Sequence, residues 1–500
     1  MQDDLVLVFD CGSTNIRAVA VDTRGELVAS ASRTNGPARQ PGGRAEWLIW
    51  DLGDIWQKIT ETAREVSHGV GADRIKAITI TTWGADGAPV SRDGTPTYPP
   101  ISWQCPRTNG MAEAISENIS PWELYKITGY QVISFNTLLR MMWLRRNAPD
   151  ALDRAHAWLM MPGLLAFKLT GEFHIEPTSA STTMAMDLRR RDWSGRLLDL
   201  ADMDASSFPR WCEPGDVIGE VSAHAGRLCN LRQGTPVVAS GHDTQFALLG
   251  SGAKPGEAVL SSGTWEILEV RLPRFEPDTM GFRGGIINEA DAQPGLWDPQ
   301  LLMMGSAVLE WMRGKLYPNQ EGEGYDSMIE EASQVPVGSE GVTIIPSFVS
   351  DSGPMRRFRT RGTVLGLGLQ TSRAHVYRAA LEGLSCQLRL ALGTLRKATG
   401  FKAGGIRVVG GGSKNDLWNQ IRSDVTGLPV SVTAQKEATV LGAALTALVG
   451  IGRYGSFREA EKSVKFHERR FRPSRNRASY ERLFRKFEGI PQALEVFYRV

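Results

Sequence analysis

The stretch Leu5-Val-Leu-Val-Phe-Asp10-Cys-Gly-Ser-Thr-Asn-Ile-Arg17 decides the fold of this chain. Its first residues form an apolar run, which predicts a buried strand that ends at Asp10. The small residues that follow predict a tight loop, and a second strand is expected at residues 16–22. A third strand follows at residues 27–33 after a short turn. The chain therefore opens with a meander of three strands.

A similar unit begins about halfway along the chain. Residues 258–261 and 265–270 are predicted strands, and Ser262-Gly263-Thr264 is the loop between them. Both units place a small loop with glycine and threonine between two strands. Their separation predicts two lobes of related design, although two unrelated hairpins would give the same pattern.

Strands and helices alternate in the rest of the chain, which is typical of α/β proteins. Gly442-Ala443-Ala444 gives one predicted helix a small-residue face that suits either close helix packing or an adenine ring. Helical spacing of apolar residues is found at 376–388, 440–447 and 480–487, and further strands are expected at 75–82, 236–240 and 406–409.

The length of 500 residues predicts more than one domain, with a cleft where the domains meet. We expect an N-terminal domain at 1–244, which binds sugar and holds the first phosphate loop, and a nucleotide-binding domain at 245–455. A helical segment at 456–500 is expected to pack back on the N-terminal domain. Lys and Arg number 57 and Asp and Glu number 55, which gives a net charge of +2. This nearly neutral charge argues against a nucleic-acid partner. The sequence does not determine the oligomeric state, and a homodimer is one of the alternatives.

The five cysteines are odd in number, widely spaced and never in a CxxC pair, which argues against disulfides and structural zinc. The acidic N-terminus is not a signal peptide, and no window holds eighteen uninterrupted apolar residues. These features predict that the protein is cytoplasmic and has no membrane partner.

Polar or glycine-rich loops follow several predicted strands, and ligands bind beyond the carboxyl ends of strands in open α/β sheets. Asp10 ends the first strand, where it would face a metal ion or its water shell. Gly12, Thr14 and Asn15 then offer backbone and side-chain donors that suit phosphate oxygens. An ordinary hairpin loop remains the alternative, and no Gly-Lys-Ser/Thr follows, so this is not a Walker A loop.

Gly241-His-Asp-Thr244 is the most informative stretch. Asp243 lies at the end of a buried strand, where its carboxylate has the reach of a general base. A helix cap is the alternative role for Asp243. In Trp83-Gly84-Ala85-Asp86, the indole would stack on a sugar face while Asp86 accepts a hydroxyl, or the tryptophan is buried above a turn.

Ser261-Ser-Gly-Thr264 offers phosphate-binding donors from the second half, or is only a turn. Gly410-Gly-Gly-Ser413 follows a strand and precedes a predicted helix at 415–425, so adenosine or phosphate can approach its bare backbone. Two arginine clusters lack the interleaved aromatic residues of a nucleic-acid surface and are expected to be solvated faces; they are Arg356, Arg357, Arg359 and Arg361, and Arg469, Arg470, Arg472 and Arg475.

Taken together, these stretches resemble the FGGY family of carbohydrate kinases over essentially the whole chain. The resemblance implies a two-lobed, actin-like (ribonuclease H-like) ATPase fold with duplicated α/β domains and a central cleft. It implies ATP and Mg²⁺ as cofactors, Asp243 as the catalytic base, and Asp10 with Asp243 at the metal. The implied sugar contacts are Trp83, Gly84, Asp86, His242, Asp243 and Thr244. The implied ATP contacts are Ser13, Thr14, Asn15, Arg17, Thr264, Gly411, Gly412, Ser413 and Asn415.

The resemblance also implies phosphorylation of the C1 hydroxyl of a 6-deoxy-L-ketohexose, with L-fuculose as the expected substrate. Trp83 and the arginine-rich loop at 351–361 depart from the pattern expected for L-fuculose, so L-rhamnulose and L-xylulose stay open. A non-catalytic actin-like sensor of sugar or nucleotide is the alternative from another class, which the presence of Asp243 disfavours.

Overall fold

The opening apolar run forms a central strand of a six-stranded sheet in a computed structural model of the protein, which describes residues 4–318, 325–349, 360–433 and 437–498. The elements of the first half, in chain order, are β1 (Leu5–Cys11), β2 (Asn15–Asp22), β3 (Leu27–Thr34), β4 (Ala38–Arg39), β5 (Leu48–Ile49), α1 (Leu52–Val70), β6 (Ile75–Thr82), β7 (Gly87–Val90), α2 (Met111–Ser116), α3 (Pro121–Thr128), α4 (Thr137–Asn147), α5 (Pro149–Asp153), β8 (Ala157–Met160), α6 (Met161–Thr170), α7 (Pro177–Ser181), β9 (Met186–Asp187), β10 (Asp192–Trp193), α8 (Gly195–Leu198), β11 (Val217–Glu220), α9 (Ala223–Cys229), β12 (Pro236–Val238) and α10 (Asp243–Gly250).

The second half contains a seven-stranded sheet. Its elements are β13 (Glu257–Ser262), β14 (Trp265–Glu269), α11 (Thr279–Gly284), β15 (Ile287–Ala290), β16 (Trp297–Met304), α12 (Ser306–Leu316), α13 (Asp326–Ser333), β17 (Thr343–Ile345), β18 (Thr363–Leu365), α14 (Arg373–Thr399), β19 (Gly405–Val409), α15 (Asp416–Thr426), β20 (Val430–Thr433), α16 (Ala438–Gly450), α17 (Phe457–Ser463), β21 (Glu468–Phe471) and α18 (Arg477–Tyr498).

The two sheets repeat one topology. In the first, with order β11-β12-β6-β1-β2-β3, an antiparallel meander is extended by parallel β6 and β12 and closed by antiparallel β11. In the second, with order β15-β16-β14-β13-β19-β20-β21, a meander is likewise extended by parallel β19 and β20 and closed by antiparallel β21. The predicted duplicated α/β architecture is therefore confirmed.

Helices α10 and α16 form a layer between the two sheets. Side chains of β1 alternate in direction, so Leu7 and Phe9 pack in the core that contains α1, whereas Val6 and Val8 pack in the core that contains α16. On the opposite side, Val259 of β13 shares a small core with residues of both α10 and α16. The helix pair is thus buried against both lobes.

Two glycines allow this helix pair to pack with its backbones in contact. A Cβ atom on Gly442 would lie 1.9 Å from the carbonyl oxygen of Phe246, and one on Gly250 would lie 1.9 Å from that of Ala438. Any side chain at either position would push the helices apart. The small-residue face of Gly442 therefore serves close helix packing.

The C-terminal segment divides its contacts between the lobes. A Cβ atom on Gly25 of the first lobe would lie 3.0 Å from Val464, whereas β21 is the edge strand of the second sheet. Tyr480, Phe484 and Phe487 of α18 pack with α14 and α15, because their apolar stripe meets the core of the second lobe. Within the segment 456–500, the terminal helix therefore packs on the second lobe, while Val464 before it contacts the first lobe.

Other features of the chain follow its composition. All five cysteines are buried and unpaired. Within the described ranges, no helix combines the length and apolarity needed to cross a membrane. Arg356, Arg357 and Arg359 lie outside the described residues, and the arginines at 361, 469, 470, 472 and 475 are exposed.

Candidate active site

The carboxyl ends of β1, β6 and β12 meet at one edge of the first sheet. Asp10 of β1 is in register with Thr81 of β6. The next residue, Thr82, donates its N–H to the carbonyl oxygen of Gly241 at 2.9 Å. This register brings Asp10 and Asp243 to the same edge, as expected for a site beyond parallel strands.

Asp243 is the first residue of α10, and 32% of its side chain is exposed. The N-cap position belongs to His242, so Asp243 is not the cap residue that the alternative role required. Its Oδ1 lies 3.4 Å from the Thr244 hydroxyl and 3.5 Å from Nε2 of His242. Burial raises the pKa of Asp243 to about 6; the charge of His242 opposes this shift and that of Asp10 adds to it.

His242 is held through its ring and through its backbone. Its Nδ1 lies 2.9 Å from Oε2 of Glu289, and its backbone N–H donates to the Thr178 hydroxyl at 2.9 Å. A Cβ atom on Gly84 would lie 2.9 Å from Nε2 of His242, so the bare backbone of Gly84 makes room for the imidazole. Although burial disfavours the imidazolium, the charge and hydrogen bond of Glu289 raise the pKa of His242 to about 9.

Trp83 and Asp86 are both buried. The Trp83 ring is buried against Trp50, with centroids 4.3 Å apart, and its Nε1 donates to Asp86 at 2.9 Å. Asp86 has no exposed surface and forms an ion pair with buried Arg140 at 2.6 Å. The Trp83 indole is therefore a packing element, and the Asp86 carboxylate is occupied by internal partners.

Trp103 is the aromatic ring near Asp86 that retains exposure. Its backbone N–H donates to Asp86 at 3.1 Å, and 36% of the residue is exposed. The Phe135 ring lies edge-on to it, with centroids 6.0 Å apart. Nothing in the sequence distinguishes Trp103 from Trp83 as a candidate for sugar stacking, because the two rings differ in burial alone.

The first loop has the compact shape expected of a phosphate loop. The Gly12 N–H donates to the carbonyl oxygen of Asn15 at 2.8 Å, and Thr14 and Asn15 are exposed while Ser13 is half-buried. Backbone and side-chain donors at the loop tip therefore remain open to a ligand.

Arg17 was predicted beside ATP, but its guanidinium joins two carboxylates. Nε donates to Asp10 at 3.0 Å, and Nη2 lies 2.7 Å from Glu437 at the N-cap of α16. Arg17 thus links the first loop to the central helix layer. Burial raises the pKa of Asp10 even though Arg17 opposes the shift.

The second loop and the triple-glycine turn lie against each other. Thr264 and Gly411 are exposed and Ser413 is half-buried. A Cβ atom on Gly412 would lie 2.1 Å from the Ser262 hydroxyl, and one on Gly410 would lie 2.7 Å from the Ser262 carbonyl oxygen, so the glycine turn packs directly on Ser262. Asn415 is the exception among the predicted ATP contacts: it is buried, and its Oδ1 caps α15 by accepting the Trp418 N–H at 3.0 Å.

A buried hydrogen-bond network that the sequence did not reveal supports the second loop and the glycine turn. Arg422 donates to the Ser262 hydroxyl at 2.7 Å and pairs with Glu266, whose carboxylate also accepts from Ser262 at 2.8 Å. Arg422 also donates to Asn419 at 2.8 Å, and Asn419 donates to the carbonyl oxygen of Ser413 at 2.8 Å. One guanidinium therefore fixes both the second loop and the glycine turn.

A duplicated sheet, small open loops in each half and a carboxylate between them define a two-lobed kinase with the actin-like ATPase fold. Solved sugar-kinase structures share this fold. Xylulose kinase from Rhodospirillum rubrum matches with a TM-score of 0.88 at 22% identity, covering 99% of this chain and 100% of that one. Glycerol kinase from Plasmodium falciparum, solved with ADP, matches with a TM-score of 0.86 at 21% identity, covering 98% of each chain.

Sequence comparison gives the family. Residues 5–250 match the N-terminal domain of the FGGY family of carbohydrate kinases, and residues 258–451 match its C-terminal domain. The chain belongs to the FGGY family and is an ATP-dependent carbohydrate kinase. L-fuculokinase from Salmonella typhi is 40% identical over 473 residues, covering 95% of this chain and 98% of that protein. Autoinducer-2 kinase from Escherichia coli (strain SMS-3-5 / SECEC) is 29% identical over 502 residues, covering 94% and 90%.

Proposed function

We propose that this kinase phosphorylates the C1 hydroxyl of L-fuculose, with Asp243 as the general base. The observation that carries the proposal is the partly exposed Asp243 carboxylate, at the start of the helix layer between the lobes and on the same edge as Asp10. The similarity to L-fuculokinases at 40% identity over almost the whole chain supports the substrate.

In the proposed reaction the C1 oxygen attacks the γ-phosphorus of ATP. The bond between that phosphorus and the β–γ bridging oxygen breaks, ADP leaves, and the hydroxyl proton passes to Asp243. Burial raises the pKa of Asp243 to about 6, which leaves the carboxylate ionised at neutral pH and a better proton acceptor than an ordinary aspartate.

Loops from both halves would hold the nucleotide. Ser13, Thr14 and Asn15 offer donors from the first lobe, and Thr264 offers a hydroxyl from the second. The bare backbone at Gly411 and Gly412 leaves room for adenosine or a phosphate beside the second loop. This arrangement relies on positioning and charge neutralisation, which are the main demands of phosphoryl transfer.

Asp10 and Asp243 fit a magnesium ion. The charge of Asp10 adds to the rise in the pKa of Asp243, so two carboxylates approach each other and a cation between them would relieve the repulsion. Mg²⁺ is commonly bound through one or two carboxylates together with substrate phosphates, which is the donor set that Asp10, Asp243 and ATP would supply. Magnesium would neutralise charge on the β- and γ-phosphates.

The sugar would lie against the edge formed by Gly84, His242 and Thr244. The Nε2 atom of His242 and the Thr244 hydroxyl both lie within 3.5 Å of the Asp243 carboxylate, so they can contact the same ligand. The exposed ring of Trp103 offers an apolar face for the sugar's carbon side.

The test is ADP release measured with L-fuculose, L-rhamnulose, L-xylulose and D-ketose controls. We expect L-fuculose to have the highest kcat/KM, and an equal or higher value for another sugar would contradict the substrate assignment. Asp243→Asn should lower kcat by about 10²–10⁴-fold while ATP still binds. Asp150→Asn is a matched control, because Asp150 is an exposed acidic residue in the first turn of α5; its kcat should not change.

A further inference from the structure

Glu289 reaches from the second lobe to the proposed sugar site. It lies on β15, the edge strand of the second sheet, and is 1% exposed. Its carboxylate contacts three polar side chains from outside that sheet. His242 Nδ1 and Gln245 Nε2 each lie 2.9 Å from Oε2, and the Tyr130 hydroxyl donates to Oε1. One carboxylate thus joins the second sheet to the start of α10 and to the segment after α3.

The contact with Glu289 decides which way the His242 ring points. Because Nδ1 is occupied by the carboxylate, Nε2 is the ring nitrogen left for the cleft. Nε2 lies 3.5 Å from Oδ1 of Asp243, and it faces the bare backbone of Gly84. A carboxylate behind a histidine is a common way to fix the orientation of a functional imidazole.

The neighbouring acidic residues do not have this role. Glu269 of β14 is equally buried, but neither of its carboxylate oxygens has a hydrogen-bond partner within the described part of the chain. Asp298 accepts from Gln245 at 2.9 Å, and among the described residues it forms no hydrogen bond with His242. Burial raises the pKa of both carboxyls well above the ordinary values, with repulsion from neighbouring carboxylates adding to the effect. Glu289 is therefore distinguished by its contacts, and Glu269 is its matched comparison.

We infer that Glu289 is a positioning residue that holds His242 toward the sugar and joins the second lobe to the sugar site. This inference rests on the proposed function, because it assigns the Nε2 face of His242 to sugar binding. The loops proposed to hold ATP, around Thr14 and Thr264, are separate from Glu289. Loss of Glu289 should therefore weaken sugar binding and leave ATP binding intact.

Steady-state kinetics of Glu289→Leu and Glu289→Gln test the inference. With L-fuculose varied at saturating ATP, Glu289→Leu should raise the sugar KM by at least about tenfold, as expected for losing a hydrogen bond to a charged group. Glu289→Gln keeps an acceptor for Nδ1 and should fall between Glu289→Leu and the unmodified enzyme. The KM for ATP should stay within about twofold in both variants. Glu269→Leu, the same change at the matched buried position, should leave the sugar KM unchanged.

Three results would overturn the inference: an unchanged sugar KM in Glu289→Leu, an equal rise in Glu269→Leu, or an equal rise in the KM for ATP. If Glu289→Leu does not fold, Glu289→Gln decides, and an unchanged sugar KM in it overturns the inference. Ring ¹⁵N NMR of histidine-labelled protein, with His242 assigned from His242→Gln, gives a readout without sugar. The Nδ1 signal of His242 should shift in Glu289→Gln and not in Glu269→Leu. If the unmodified enzyme turns over no ketose, the proposed function fails, while this signal still decides whether Glu289 holds the ring.

Discussion

Replacing Asp86 with alanine distinguishes a sugar ligand from a buried structural ion pair. Asp86 has no exposed surface, and its carboxylate accepts from Trp83 Nε1, Trp50 Nε1 and the Trp103 backbone while pairing with Arg140. Asp86→Ala would leave the Arg140 cation buried without its counter-charge and would remove the acceptor shared by the three N–H groups. Breaking a buried pair by removing one partner costs about 3–5 kcal/mol of unfolding free energy.

The assay is thermal unfolding of the purified variant. One kcal/mol shifts the unfolding midpoint of a domain of this size by about 2–4 °C, so Asp86→Ala should lower the midpoint by about 6–20 °C. Arg140→Met should be similarly harmful because it leaves the carboxylate unpaired. The double variant should lose less than the sum of the two single losses, since it leaves no unpaired buried charge.

Steady-state kinetics of the same samples would reveal a result that contradicts a structural role for Asp86. If Asp86→Ala unfolds within about 2 °C of the unmodified protein while its sugar KM rises, Asp86 is a sugar ligand and the structural account of the ion pair is wrong. Asp243→Asn is the control for the unfolding measurement. Its carboxylate is partly exposed and burial raises its pKa, so its charge does not stabilise the fold at neutral pH and its removal should not lower the midpoint.

Three other outcomes follow from the site and the helix layer. Asp243 must be ionised to accept a proton and burial raises its pKa to about 6, so kcat/KM for the sugar should fall as pH is lowered through that value; a profile flat below it would contradict Asp243 as the base. Arg422→Met should raise the KM for ATP by about tenfold or more and leave the sugar KM nearly unchanged, because Arg422 holds the Ser262 loop; equal rises in both KM values would argue against that role. Gly442→Ala should lower stability by about 1–3 kcal/mol in thermal unfolding, since its Cβ atom would collide with the Phe246 carbonyl oxygen; no change would show that the helices can separate without cost.

The sequence predicted the framework well because the framework depends on local signals. Apolar runs, glycine-containing loops and helical spacing located β1, β6, β13 and α16, and the paired hairpins predicted the repeated sheets. Strand ends also grouped Asp10 with Asp243, since parallel neighbours must end at one edge.

The side-chain roles were harder to predict, because they depend on partners distant in the chain. Whether Trp83 stacks on a ligand or on Trp50 is decided by residues 33 positions apart, and the ring is in fact buried. The Arg17 guanidinium has the charge expected of a phosphate contact, yet it pairs with Glu437 from the other half of the chain. Glu289 carries no local signal, since an acidic residue on an edge strand usually faces solvent.

The backbone contact between α10 and α16 has a mechanical consequence. The two helices touch at Gly250 and Gly442 and are buried against both sheets, so this pair offers an axis for a rotation of one lobe relative to the other. Asp243 is the first residue of α10 and therefore lies close to such an axis, where displacements are smallest. The loops at Thr14 and Thr264 are attached to the sheets and would travel further. In such a rotation the proposed base would stay nearly stationary while the loops proposed to hold the nucleotide move toward it.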